Sequence, residues 1–314
     1  MHIFLLFATL LVFSNFSFGQ DIKPKKFYLE TSGGYGFPIV NDDLGSTNDL
    51  IGSANRLIRS DSTIKITPAQ GTQGAGWQFS FNAGYMFHPN IGFEGQINYL
   101  KSNRYFLAKN ITPTFQAEHG VLGERLDIIP QLVFSFQFRE KWSLFSKSGV
   151  VIPLWGRSNS EIIIDDQEGR LVQEVFGFNN PNSHAAVRIK ASSYGKFSYG
   201  FQTRLGVGYS FLDWLTVFGE VKFVALSIRS KEDRVNEFSI QFINGQTGEL
   251  GLRITEDDLS EMDKTTIYLN ELTENSNNQE VNSNADSSQP LEALSTKNNF
   301  NQLAVSFGIR FYIK

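Results

Sequence analysis

Few side chains in this 314-residue chain could do chemistry. Cys is absent, which removes thiol nucleophiles, thiolate metal sites, disulfides and lipid attachment through an N-terminal Cys. Of the four His, His2 precedes an N-terminal apolar run, so His88, His119 and His184 are left for acid–base work. A hydrolase needs a nucleophile, a base and an orienting group within reach of one another. Glu118 adjoins His119 and Ser183 adjoins His184, but adjacent residues on an extended segment point to opposite sides. His88 falls in the turn His88-Pro89-Asn90. These positions assign no catalytic residue, no metal site and no cofactor, and the expectation is a protein without catalysis. The acidic run Glu256-Asp257-Asp258 with Glu261 and Asp263 has the ligand type for calcium but not the spacing of a hand-type loop. It reads as a solvated acidic face.

The elements that carry the remaining polar side chains are strands. Trp77, Phe79, Phe81, Ala83, Tyr85 and Phe87 alternate with Gln78, Ser80, Asn82, Gly84 and Met86, placing two sets on two faces of a sheet. The same alternation predicts eight strands, at roughly 26–38, 76–88, 91–108, 120–138, 142–158, 188–211, 214–230 and 300–313. Connections alternate between short turns (88–90, 139–141, 212–213) and long segments (39–75, 109–119, 159–187, 231–299). That rhythm belongs to a membrane barrel, with short turns at one rim and long loops at the other. Within the loops, 161–178 and 238–254 read as projecting hairpins. The segment 275–289 (NSNNQEVNSNADSSQ) reads as disordered on composition.

Composition supports the same class. The chain has 29 Phe, 27 Gly, 10 Tyr and 4 Trp, yet a mean hydropathy of -0.21, so the aromatics must be segregated onto one face. Beyond the first 18 residues no apolar run reaches the roughly 20 needed for a helical span. A net charge of -4 and a pI near 5.7 give no electrostatic footprint for nucleic acid. An eight-stranded barrel has an interior that side chains just fill. The Phe-rich face is too bulky for it, and the Gly, Ser, Gln and Asn face fits. The expected fold is therefore all-β, an antiparallel up-and-down transmembrane barrel with apolar residues outside. Trp77, Trp142, Trp155 and Trp214 are expected at strand ends as an interface aromatic girdle.

Strand parity then sends Glu30, Glu94, Arg125, Asp127, Lys147, Arg204, Glu220, Lys222 and Arg310 to the lumen. Unpaired charges in so narrow a space cost several kcal/mol each, so near balance implies a paired network and a plugged centre. Parity around Lys147 is blurred by Phe145 and Val151. Pro130 and Pro153 interrupt strands four and five and call for a bulge or local break. Inward glycines, Gly84, Gly206 and Gly308 among them, are read as space makers.

Residues 1–19 have the apolar core (IFLLFATLLVF, 3–13) and small residues Ser17 and Gly19 of a secretory signal, leaving 20–314 as the barrel. With this segment, the alternating strands and the final LAVSFGIRFYIK (303–314), the chain resembles the outer-membrane β-barrel domain family, with OmpA-like eight-stranded topology. The ending departs mildly from the family's aromatic closure, because Ile313 and Lys314 follow Phe311 and Tyr312. The resemblance implies outer-membrane localisation after export, a lipid bilayer as surroundings and insertion by the barrel-assembly machinery. It implies no substrate.

The expected role is structural or interactive, through contact of the long loops with an extracellular protein or surface ligand and none with nucleic acid. Segment 231–299 has five Lys or Arg against fourteen Asp or Glu, a net charge of -9. A narrow channel or small-solute transporter is the alternative, a lipid-modifying outer-membrane enzyme the third reading, and a soluble lipocalin-like binder the fourth.

Overall fold

The chain is described by a computed structural model covering residues 27–39, 42–43, 54–58, 64–68, 70–71, 73–169, 171, 183–244, 247 and 250–313. The signal-like segment 1–19 lies outside these residues, as does much of 39–75.

Eight strands close on themselves: β1 (Phe27–Pro38), β2 (Gly76–His88), β3 (Ile91–Ser102), β4 (Phe115–Arg139), β5 (Trp142–Asp166), β6 (Gly200–Leu212), β7 (Leu215–Ala225) and β8 (Gln302–Ile313). Each pairs antiparallel with its predecessor, and β8 returns to β1 with Phe27 opposite Ile313 and Pro38 opposite Gln302. Closure pairs every barrel strand on both sides, as a membrane requires, except along Ile152–Gly156 of β5, which lie between the stretch paired with β6 and the stretch paired with Ser183–Gly195. Both ends of the barrel chain sit at the short-turn rim. Outward side chains are apolar and bare: Phe79 is 60% exposed and Phe307 69%. The outward hydroxyls of Ser148 and Thr203 bond each other at 3.1 Å, sparing two polar groups from lipid.

Several boundaries differ from the sequence expectation. Segment 188–211 is two strands, Ser183–Gly195 and β6, separated by the irregular residues 196–199. Alternation runs through both, so the pattern shows facing but not the change of partner. Segment 214–230 likewise divides at Leu226, whose N–H donates to Asn301 Oδ1 at 2.8 Å instead of continuing the ladder. Segment 91–108 divides between β3 and Tyr105–Ile111.

The long connections are largely strand. β4 and β5 run 25 residues each, well past the barrel rim. Their distal halves pair together, with Phe115 opposite Asp166, and the distal half of β5 also pairs with Ser183–Gly195, which pairs in turn with Ser227–Asn244. The expected hairpin at 238–254 is present, Ser239 facing Thr255. Of the one at 161–178, the first arm, Glu161–Asp166, pairs with Ala185–Lys190. Most of its second arm lies outside the described residues.

Segment 275–289 is ordered, contrary to its composition. Asn277 donates to the carbonyls of Asp286 (3.0 Å), Gln289 (3.2 Å) and Pro290 (2.9 Å), and its Oδ1 accepts from Asp286 N at 2.7 Å. One half-buried amide stands in for the missing apolar core of that loop. The acidic run is also partly structural. Asp258 accepts from Thr255 and Asp263 from Ser260, so both carboxylates cap short helical turns at Glu256–Asp258 and Glu261–Lys264.

Both prolines meet the break that closed pairing demands. The β4–β5 ladder is interrupted opposite Pro130, and its register shifts between Pro153 and Trp155, leaving Leu154 as the extra residue. The bulge turns both Leu154 and Trp155 outward.

Candidate functional site: the lumen network and the distal sheet

All nine charged residues assigned to the lumen are buried there, none more than 4% exposed. Lys147, ambiguous in the pattern, points inward together with Phe145, Gly149 and Val151. Its ammonium donates to Glu30 Oε1 at 2.5 Å and to Glu94 Oε2 at 2.7 Å. Arg204 bridges Glu94 (2.8 Å) and Glu220 (3.0 Å), and Arg310 reaches Glu30 at 2.5 Å. Three carboxylates and three cations thus balance in the half nearer the short turns. Neutral donors complete the shell: Tyr28 Oη and Gln131 Nε2 donate to Glu94 at 2.7 and 2.6 Å, and Asn82 Nδ2 donates to Glu30 at 2.7 Å. Each was legible from parity, since Tyr28 shares its face with Glu30 and Gln131 with Val133 and Asp127.

Farther along the lumen, Arg125 Nε pairs with Asp127 at 2.7 Å. An amide relay joins the two layers: Gln202 donates to Gln96 (2.8 Å), Gln96 to Ser80 (2.7 Å) and Ser80 to Asn98 (2.9 Å). Lys222 forms no ion pair with the described carboxylates and donates to Asn98 Oδ1 at 3.4 Å. The surplus positive charge of the lumen therefore sits on this one side chain.

Apolar side chains close both ends, and here the expectation that the lumen excludes aromatics is corrected. Tyr28, Met86 and Val133 pack with Tyr312 toward the short turns, and Phe145 meets Phe218 edge-on at 5.7 Å. Ile129, Val151, Val224, Leu226 and Phe300 form the opposite plug. Inward aromatics fit because glycines face them: a Cβ on Gly84 would strike the Tyr28 ring, one on Gly206 the Phe145 ring, and one on Gly308 the Phe218 ring. The space those glycines leave is taken by rings.

The two faces of the wall exchange character along single strands. In the barrel, β4 points Asp127 and Gln131 inward and Ile128 and Leu132 outward. Beyond the rim, the same strand points Phe115 and Ala117 inward, where they pack with Ile164, Leu171, Ala185 and Val187. The outward face there carries charge: Glu161 takes Arg104 (3.1 Å) and Arg188 (3.0 Å), and Glu237 takes Arg188 (3.7 Å) and Lys190. Apolar-out gives way to apolar-in near the pairs Leu126–Trp155 and Glu124–Arg157. Lipid solvates one part of the strand and water the other.

The girdle follows this boundary. Trp142 and Trp214 lie at the short-turn rim, and Trp77 lies at the start of β2. Trp155 is not at a strand end, because β5 continues to Asp166 as water-facing sheet. All four indoles are more than 40% exposed.

The three histidines occupy separate places. His88 Nδ1 accepts from Asn90 N at 3.3 Å within the turn, His119 lies opposite Ile162, and His184 lies opposite Ile243. Burial pushes His119 below the ordinary imidazole value. The described residues contain no cluster of three or more His, Asp or Glu able to hold a metal.

The closed circuit, apolar exterior and polar plugged interior define the class as an eight-stranded antiparallel up-and-down transmembrane β-barrel of the outer-membrane type. No family model matches the chain, and no match is found among curated proteins. Among solved structures, Neisserial surface protein A matches 91% of this chain and 97% of its own at 9% identity and TM-score 0.33. The attachment invasion locus protein Ail of Yersinia pestis matches 91% and 99% at 9% identity and TM-score 0.27. The E. coli outer membrane protein W matches 93% and 99% at 12% identity and TM-score 0.28. These distant likenesses add no weight to the assignment, which rests on the chain's own geometry.

Proposed function

We propose that this chain is an outer-membrane protein, exported with loss of residues 1–19 and inserted by the barrel-assembly machinery, whose sealed barrel anchors a distal interaction surface. The observation that carries the reading is the buried set of Glu30, Glu94, Glu220, Lys147, Arg204 and Arg310, paired across the lumen and stoppered at both ends. Such packing suits a rigid post better than a path for solutes. What projects from it is a sheet with its own apolar core and a charged outer face, followed by the acidic 231–299 segment. That surface suits an extracellular protein or surface ligand of complementary positive charge, and its negative charge disfavours nucleic acid. The reading is non-catalytic, supported by histidines that lie on separate strand pairs and a turn.

Planar-bilayer recording on the refolded full chain tests it. The expected record shows no discrete current steps above the bare membrane. Reproducible unitary conductance that changes ion preference on Glu220→Gln would replace the anchor with a channel.

A further inference from the structure

The barrel wall has a seam. β5 pairs with β6 from Trp142 to Val151 and with Ser183–Gly195 from Arg157 onward, so Ile152–Gly156 have no strand partner on that side. The facing segment, 196–199, is irregular and holds Phe197 at 80% exposure. Pro153, without an N–H, and the Leu154 bulge both fall in this stretch. A cleft of about 250 Å³ lies at the seam, at the level where the wall passes from lipid-facing to water-facing. Trp155 and Phe197 line it, and so does Arg125 from the lumen, under the Phe300 ring at 5.0 Å.

Arg125 is only 2% exposed, yet its Nη1 has no hydrogen-bond partner while Nε is held by Asp127. A buried guanidinium N–H without an acceptor is costly, and an anionic oxygen removes that cost with a strong, charge-assisted bond. Arg157 and Lys196 also line the cleft, against one carboxylate, Glu124, so its charge favours an anion. We infer that the seam is a binding site for an anionic single-chain amphiphile. Its carboxylate or phosphate head enters to Arg125, and its chain lies outside along Leu154, Trp155 and Phe197. Membrane lipids and free anions share the head chemistry, but only the former fills the apolar side of the cleft.

The test uses the refolded full chain in neutral detergent, with dibromostearate as a tryptophan quencher and Trp155→Phe to isolate the local signal. Saturable quenching that is missing in Trp155→Phe, and weakened at least about tenfold in Arg125→Gln, is expected from loss of a charge-assisted bond. If Arg125→Gln does not fold, Phe197→Asp, at an exposed side chain, must weaken binding to a similar degree. Unchanged affinity in the variant that folds overturns the site. A brominated neutral monoacylglycerol binding as tightly would also overturn it, by showing mere apolar partition. Equal displacement by millimolar inorganic phosphate would overturn the amphiphile in favour of a free anion.

Discussion

Lys147 donates to Glu94 at 2.7 Å across the lumen, from a strand that never pairs with the strand of Glu94. The same ammonium holds Glu30 on β1, so one side chain ties three strands that share no ladder with one another through it. Backbone pairing closes the wall, and this bridge closes the centre.

Lys147→Met should therefore be among the most damaging lumen changes. It leaves Glu30 and Glu94 each short of a buried cation, and removing one partner of such a pair costs about 3–5 kcal/mol. Urea unfolding followed by heat-modifiable gel migration measures it. Adding Glu94→Gln should recover part of the loss.

Lys222→Met should behave oppositely, although parity alone places Lys222 and Glu220 in equivalent roles. Glu220 is held by Arg204, whereas Lys222 has no carboxylate among the described ion pairs and only a long contact to Asn98. Replacing a weakly partnered buried ammonium with a similar apolar chain is expected to be neutral or stabilising by about 1 kcal/mol. Glu220→Gln should destabilise. A shared loss in both variants would refute the asymmetry.

Gly206→Val should destabilise by about 1–3 kcal/mol, because its side chain would enter the Phe145 ring. Phe145→Ala made alone opens a cavity, but combined with Gly206→Val the two should cost less than their sum. A double-mutant cycle in urea reads the coupling.

Acidification should loosen the distal sheet before the barrel. His119 is depressed below 6.5 by burial, and Glu161 is lowered from 4.5 chiefly by the hydrogen bond from Arg188. A folded value below the unfolded one gives stability that is complete above the unfolded value and is lost as pH falls through the folded one. The His119 contribution thus begins to fade below its ordinary 6.5, and that of Glu161 below its ordinary 4.5. Amide exchange over 157–166 and 183–195 should rise in those two windows, and His119→Gln should abolish the first.

Asn277→Ala should open the 275–289 loop to protease while leaving heat-modifiable migration intact. Its amide supplies the hydrogen bonds that hold Asp286, Gln289 and Pro290. Unaltered cleavage would show that other contacts suffice.

Much of the barrel was legible without coordinates because a strand repeats every two residues. Phe79 and Phe81 against Ser80 and Asn82 suffice to assign faces, and side-chain bulk says which face lipid must take. All nine lumen charges lie where parity put them, and the need for a break at Pro153 followed from its missing N–H in a closed ladder. Parity blurred at Phe145 and Val151 because apolar plugs face inward on both sides of Lys147.

What the amino-acid order determined by itself was local: face, period, turn and the burial each side chain demands. Partners across the lumen, such as Lys147 with Glu30, 117 residues apart, depend on how eight strands tilt and stagger around a ring, which no single strand encodes. The fate of the long connections was equally non-local. Ile162, Ile164 and Val187 form a core only because β5 exchanges β6 for Ser183–Gly195 beyond Val151. A strand's alternation is identical whichever neighbour it pairs with, so tertiary closure alone decided where lipid-facing wall becomes water-facing sheet and where the seam between them lies.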